Sequence, residues 1–145
     1  MIGMERVRQQ CAHCQATGLR LLAVIDQRGV PPGQDGHTFW YSHVVVMACG
    51  SCGRGQIESL DHDCFDMDDV WDQYEWYVLE AADTLQLAQH LSTCPAPMLP
   101  TCDCAVHLAL RTAVAQLPRT GWRHVLDAER HVRPVRVDDL RLPPC

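Results

Sequence analysis

The chain has 145 residues and a net charge of −6, with 47% hydrophobic and 21% charged residues. This composition is typical of a folded globular domain and excludes both wholesale disorder and two full-sized domains. The longest apolar runs, such as residues 44–48, are far shorter than the ~20 residues of a membrane span, and the first ten residues contain no apolar signal core. We therefore predict a cytoplasmic protein without a membrane association.

Cysteine is unusually frequent, with nine residues in the chain. Without an export signal, such thiols are more often metal ligands than disulfide partners, so we expect metal sites. All twelve basic residues are Arg, and the chain contains neither Lys nor Asn. Both absent residues need AT-rich codons, which indicates a GC-rich, bacterial genome.

The first motif is a pair of C-x2-C knuckles, Cys11 with Cys14 and Cys49 with Cys52. Four thiolates from two such pairs can close a tetrahedral structural zinc site. The knuckles are far apart in sequence, so the chain between them must return to its start.

The intervening sequence is suited to that return. Residues 19–26 and 39–48 are rich in Leu, Val, Ile and aromatic residues, which predicts two strands. A Pro/Gly-rich stretch over 27–36 predicts the loop that joins them. Residues 56–60 predict a third strand after the second knuckle.

Residues 11–60 resemble the zinc-ribbon superfamily, with Cys11, Cys14, Cys49 and Cys52 at the positions of its four ligands. The resemblance implies a small β module around a closed structural Zn2+ site, and it leaves the task of the module open. Gln15 departs from the pattern, since Gly is common there. The alternative use of C-x2-C is a redox pair at a helix start, but the glycines that follow Cys49 disfavour a helix.

Negative charge is concentrated in the middle of the chain. Residues 1–54 carry +2, residues 55–110 carry −11 and residues 111–145 carry +3. The middle block contains eleven acids and neither Lys nor Arg. This pattern indicates either a solvated acidic face or a surface for a cationic partner.

The second half of the sequence predicts helices. Apolar residues recur at helical spacing from Asp69 to about His90, and a second helix is predicted over 103–117. In the tail, residues 125–131 predict a short amphipathic helix, and residues 134–142 an extended stretch that pairs with the sheet as an edge strand. The predicted fold is thus α+β, with a zinc-ribbon-like β module over 1–60 and an acidic helical region over 61–145 packed on it as one unit.

A second zinc site is predicted from Cys94, Cys102, Cys104 and His107, a set of soft ligands that four-coordinate zinc accepts. Cys104 and His107 are three residues apart and share one face of a helix start. The other interpretation is that these are buried free thiols and an unrelated His. His90 is a spare candidate ligand. The roles of His62, Cys64 and Cys145, and the choice between zinc and iron, stay open.

The function predicted from these features is non-catalytic binding of a basic protein partner. The motifs of zinc deaminases, H-E-x2-H proteases, P-loop enzymes and nucleophile elbows are absent. Acids in segment 58–83 would pair with Arg or Lys of the partner, while aromatic residues anchor it. The residues predicted to contact the partner are Asp66, Asp68, Asp69, Trp71, Asp72, Tyr74, Glu75 and Trp76.

Bacterial immunity proteins share this small size and acidic charge, so an immunity or antitoxin-like protein that occludes a basic toxin is one form of this prediction. The alternative is a zinc-ribbon regulator that binds nucleic acid through Arg20, Arg28 and Arg54. The acidic centre opposes that alternative, because a duplex-binding surface is normally positive.

Overall fold

We analysed a computed structural model of the chain, which describes residues 10–26, 39–66, 69–117 and 132–140. It has an α+β architecture in which helices pack on a five-stranded mixed sheet. The predicted α+β class is confirmed at this level. The strands are β1 (Leu19–Asp26), β2 (Phe39–Cys49), β3 (Gly55–Asp66), β4 (Asp69–Leu79) and β5 (Val132–Val135). The helices are α1 (Ala81–Leu91), α2 (Ala105–Ala115) and α3 (Val137–Leu140).

The strands lie in chain order, β1-β2-β3-β4-β5. The first four are joined as an antiparallel meander, whereas β5 pairs parallel with β4 at the edge. The strands predicted over 19–26, 39–48 and 56–60 are all confirmed. The third is longer than predicted, and residue 60, the predicted boundary between two modules, lies within β3.

The helix predicted from Asp69 to His90 is wrong over its first half, because residues 69–79 form β4 and a helix begins only at Ala81. Glu75, Trp76 and Tyr77 are consecutive and all buried, so this part of the strand is covered on both faces. A strand buried on both faces loses the alternation of apolar and polar residues that would identify it. Its aromatic and β-branched residues were the better indication.

The helix predicted over 103–117 is confirmed as α2. The extended stretch predicted over 134–142 is confirmed only in part, since β5 ends at Val135 and residues 137–140 are helical. The loop predicted over 27–36 and the helix predicted over 125–131 lie outside the described residues.

The main core lies between the helices and one face of the sheet. Its sheet side includes Val46, Ile57 and Leu79, and the helices contribute Leu87 and Leu110, all fully buried. Gly55 permits the closest approach, because a Cβ atom there would lie 2.7 Å from Oγ1 of Thr84 on α1. The sheet and α1 are therefore in tight contact at the point where β3 leaves the second knuckle.

Candidate metal centres

The two C-x2-C knuckles meet at one end of the sheet. Cys11 and Cys14 lie in a turn before β1, Cys49 ends β2, and Cys52 lies in the turn that leads to β3. The pairing of β1 with β2 places Leu19 opposite Cys49 and so brings the first knuckle beside the second. The β1–β2 pairing thus provides the return of the chain that the sequence predicts.

The four sulfur atoms have the spacing of a tetrahedral metal site. The Sγ atoms of Cys11 and Cys52 are 3.6 Å apart, as are those of Cys14 and Cys49, and all four lie within 4.8 Å of one another. A tetrahedron with metal–sulfur bonds of about 2.3 Å has edges of about 3.8 Å. A disulfide would need about 2.05 Å, and the four cysteines are free. This group could hold a metal ion.

The two knuckles have the same backbone structure. In the first, Cys11 N–H donates to the Ala16 carbonyl and Gln15 N–H donates to the Cys11 carbonyl, both at 2.9 Å. In the second, Cys49 N–H donates to the Arg54 carbonyl at 2.8 Å and Gly53 N–H donates to the Cys49 carbonyl at 3.0 Å. The residue after the last cysteine has a positive φ in each, 62° at Gln15 and 78° at Gly53. Gln15 thus adopts the conformation for which Gly is common.

Backbone N–H groups point at the first sulfur of each knuckle. His13 and Cys14 donate to Sγ of Cys11 at 3.4 and 3.5 Å. Ser51 and Cys52 donate to Sγ of Cys49 at 3.3 and 3.5 Å. Such donors stabilise thiolates, which are the form that binds metal.

The environments of the two cysteines in the second knuckle differ. The N–H groups of Cys52 and Ser51 lower the pKa of Cys49 to about 6. Burial raises the pKa of Cys52 to about 12. Four clustered thiols do not all ionise readily by themselves, whereas a divalent cation favours the deprotonated form of every ligand.

Sequence reasoning missed the side chain that connects the first knuckle to the sheet. Gln56 on β3 is 2% exposed, and its Oε1 accepts a hydrogen bond from Ala12 N–H at 3.0 Å. No motif marks such a contact, because the two residues meet only when the sheet has formed.

A second group of thiols lies between α1 and α2. Cys94 follows α1, Cys102 comes directly after the Pro-rich loop 95–101, and Cys104 is the N-cap of α2. The three sulfur atoms lie within 4.8 Å of one another, with Cys94 and Cys102 at 3.6 Å. This group also could hold a metal ion.

His107 lies beside this second group. The Nδ1 atom is 3.6 Å from Sγ of Cys94, and the His107 N–H donates to Sγ of Cys104 at 3.3 Å. The side chain is fully buried. Burial, reinforced by the positive charge of Arg111, lowers the pKa of His107, while the Val24 backbone acts in the opposite direction. The neutral imidazole favoured here is the form that binds metal.

Hydrogen bonds hold the loop between Cys94 and Cys102 on its neighbours. Val24 N–H on β1 donates to the Pro97 carbonyl at 2.9 Å. A guanidinium nitrogen of Arg111 on α2 donates to the Pro100 carbonyl at 2.8 Å. The second group of thiols is thereby attached to the edge strand of the sheet.

Other candidate ligands are not brought into either group among the described residues. His90 is buried on α1, and His13 is exposed in the first knuckle. His62 and Cys64 lie on β3, but their side chains are outside the described part, as is Cys145.

Two of the residues predicted to contact a partner are interior. Glu75 and Trp76 are each 1% exposed, so neither side chain is available at the surface. Trp76 Nε1–H donates to a carboxylate oxygen of buried Glu58 at 2.6 Å, and the Tyr77 hydroxyl donates to Glu75 at 3.3 Å. Asp66, Asp69, Trp71, Asp72 and Tyr74 lie on β3 or β4 with side chains outside the described part, and Asp68 lies outside it altogether.

Comparison of the chain with family models, curated proteins and solved structures finds no match. Among the described residues, no helix has the length and apolarity required to cross a membrane.

Proposed function

We propose that the protein is a non-catalytic, zinc-stabilised protein-binding module. In this proposal both cysteine groups hold structural Zn2+, and the far end of the sheet contacts a basic partner. The finer form of the proposal is an immunity or antitoxin-like protein that occludes the basic cleft of a toxin.

The structural role of the metal is supported by the donor set of the first group. Four sulfur atoms at tetrahedral spacing supply every coordination position of a zinc ion, which leaves none for water or substrate. Cys11 and Cys49 are also buried. Zinc is our choice because it accepts both four sulfur ligands and a mixture of sulfur and imidazole.

The observation that carries the binding proposal is the strand register away from the metal centres. Residues 39–43, 60–66 and 69–74 lie side by side on β2, β3 and β4, and we name them together the acidic end. These residues include five Asp and neither Lys nor Arg. Because β3 is roughly 40 Å long, the acidic end extends well away from the knuckles.

The buried residues restrict which acids can contact a partner. Glu58 and Glu75 are interior, and Glu80 forms an ion pair with Arg54 at 3.2 Å. We therefore assign partner contact to the Asp residues between 61 and 72, with Trp71 and Tyr74 as the anchors in place of Trp76.

The first prediction concerns the acidic end. The double substitution Asp69→Lys with Asp72→Lys should reduce capture of a basic protein at least tenfold, because attraction is replaced by repulsion. Immobilised protein is incubated with lysate of the source organism at low salt, and captured proteins are identified by mass spectrometry. Captured protein should dissociate as salt is raised.

The matched control is Glu80→Lys with Asp138→Lys, two exposed acids away from the acidic end. Both double variants change the net charge from −6 to −2, since each replacement adds two units. Equal capture by the two variants would contradict the proposed surface. Recovery of nucleic acid instead of protein would support the Arg-mediated alternative, although Arg54 is already paired with Glu80.

A further inference from the structure

The second cysteine group has three thiols, and the buried imidazole of His107 lies beside it. We propose that His107 completes this group through Nδ1 as a Cys3His zinc centre, and that the bound ion fastens the loop 94–104 and the start of α2 to the edge strand β1. The inference rests on the metal-binding part of the proposed function and is independent of the partner.

The distance between Cys94 and His107 fits this ligand set. With metal–sulfur bonds of about 2.3 Å and metal–nitrogen bonds of about 2.05 Å, a tetrahedral site has a sulfur–nitrogen edge of about 3.6 Å. The distance from Cys94 Sγ to His107 Nδ1 is 3.6 Å, equal to that from Cys94 Sγ to Cys102 Sγ. The mutual limit of 4.8 Å is met by the three thiols alone, and Cys94 is the ligand to which His107 already lies at bonding spacing.

The other ring nitrogen points to the role of β1. Nε2 of His107 is buried and has no hydrogen-bond partner in the part of the chain that the structure describes. When Nδ1 binds a metal, Nε2 carries the proton and needs an acceptor. The N–H of Val24 on β1 donates to the Pro97 carbonyl, so the Val24 carbonyl faces the same outer edge of the strand, and we assign it as the acceptor of Nε2–H in the ion-bound form.

The same residue of β1 receives the loop. Val24 N–H donates to the Pro97 carbonyl, and Pro97 lies between the ligands Cys94 and Cys102. Turn hydrogen bonds from Leu99 to Ala96 at 3.1 Å and from Cys102 to Leu99 at 3.0 Å shape the loop. An ion that closes the loop therefore fixes both contacts of Val24 and covers the edge of β1 that faces away from β2.

The test compares His107→Gln and His107→Cys with the wild-type chain, each loaded with Co2+ as a probe ion. Native mass spectrometry counts the ions, and the visible d–d bands distinguish four-sulfur from three-sulfur, one-nitrogen coordination. Hydrogen exchange of the Val24 amide, followed by NMR, reports the attachment of the loop. His13→Gln is the matched control, since His13 is exposed in the other group.

We expect two ions in the wild type and in His13→Gln, with both kinds of spectrum. His107→Gln should retain one ion with a four-sulfur spectrum, and its Val24 amide should exchange at least tenfold faster while the Ile57 amide is unchanged. His107→Cys should bind two ions, both with four-sulfur spectra, and restore the protection of Val24.

Two ions and a wild-type spectrum in His107→Gln would overturn the inference, as would unchanged protection of Val24 in the one-ion form. If His107→Gln does not fold, a mixed sulfur–nitrogen spectrum in His107→Cys overturns it equally. A single ion in the wild type, lost on Cys49→Ser, would overturn the inference but leave the four-cysteine site intact. A wild type that binds no ion would contradict the metal part of the proposed function as well.

Discussion

At the level of single residues, the two knuckles offer an internal comparison. Gln15 and Gly53 occupy the same position in the same hydrogen-bonded turn, and both have positive φ. A residue with a Cβ atom is disfavoured in this conformation by roughly 1 kcal/mol, whereas Gly adopts it freely. The knuckles therefore differ in strain although their geometry is the same.

We predict that substitutions at this position change the free energy of unfolding in opposite directions in the two knuckles. Gln15→Gly should be neutral or should raise the free energy of unfolding by up to about 1 kcal/mol, because strain is relieved. Gly53→Ala should lower it by about 1 kcal/mol, although Cβ would meet Ala81 only at 3.5 Å, an ordinary contact. Chemical denaturation of the metal-loaded protein measures both, with Gly18→Ala as a control, since nothing lies within 4 Å there. A loss of stability in Gln15→Gly would contradict this account.

At the level of elements, the second knuckle lies where the end of β2 meets the turn before β1. Cys49→Ser should release the ion of the first group and loosen the start of strand β1, because Leu19 pairs with Cys49. Structural zinc contributes roughly 10–16 kcal/mol in small zinc domains, so a large fall in melting temperature is expected. Metal analysis and thermal unfolding check this, with Ser51→Ala as the control in the same turn. A variant that keeps its ion and its melting temperature would show that Cys49 is not a ligand.

How much of the molecule the sequence predicted depends on how local each signal is. The eight cysteine and histidine ligand candidates follow from donor chemistry and short spacing. The structure brings the seven cysteines together as a group of four and a group of three, and it places His107 Nδ1 3.6 Å from Cys94 Sγ. β1 and β2 carry strong strand composition. Periodicity did not identify β4 as a strand, because Glu75 is buried and accepts a hydrogen bond from Tyr77 instead of being exposed.

Contacts between distant elements were beyond sequence reasoning. The acceptor of Ala12 is Gln56, and the partner of Val24 is Pro97. The first contact is to a side chain and the second is between backbone groups, and each forms only when the tertiary structure brings the two residues together. The burial of Trp76 against Glu58 is similar, because an aromatic residue among acids fits an interface and an interior pair equally well.

At the level of the whole molecule, the two cysteine groups and the acidic end lie in different places. The first group lies at the knuckle end of β1, β2 and β3 and the second lies beside the edge strand β1, while the acidic end contains no proposed ligand. Substitutions in the acidic end should therefore leave metal content unchanged. The net charge of −6 would also increase the rate of association with a cationic partner at low ionic strength.

The parallel pairing of β5 with β4 also bears on the order in which the chain folds. Strands β2, β3 and β4 pair with strands that are their neighbours in sequence. Strand β5 is separated from β4 by residues 80–131, which include α1 and α2, so it can join the sheet only when that long loop closes. Contacts between sequence neighbours form faster than contacts that close long loops. In pulsed hydrogen exchange during refolding with metal present, we expect the Ile57 amide to become protected before that of Val135. Simultaneous protection would mean that the sheet assembles in one step. The chain between β4 and β5 contains all four candidate ligands of the second group, Cys94, Cys102, Cys104 and His107. An ion bound to them early would therefore shorten the loop that β5 must close.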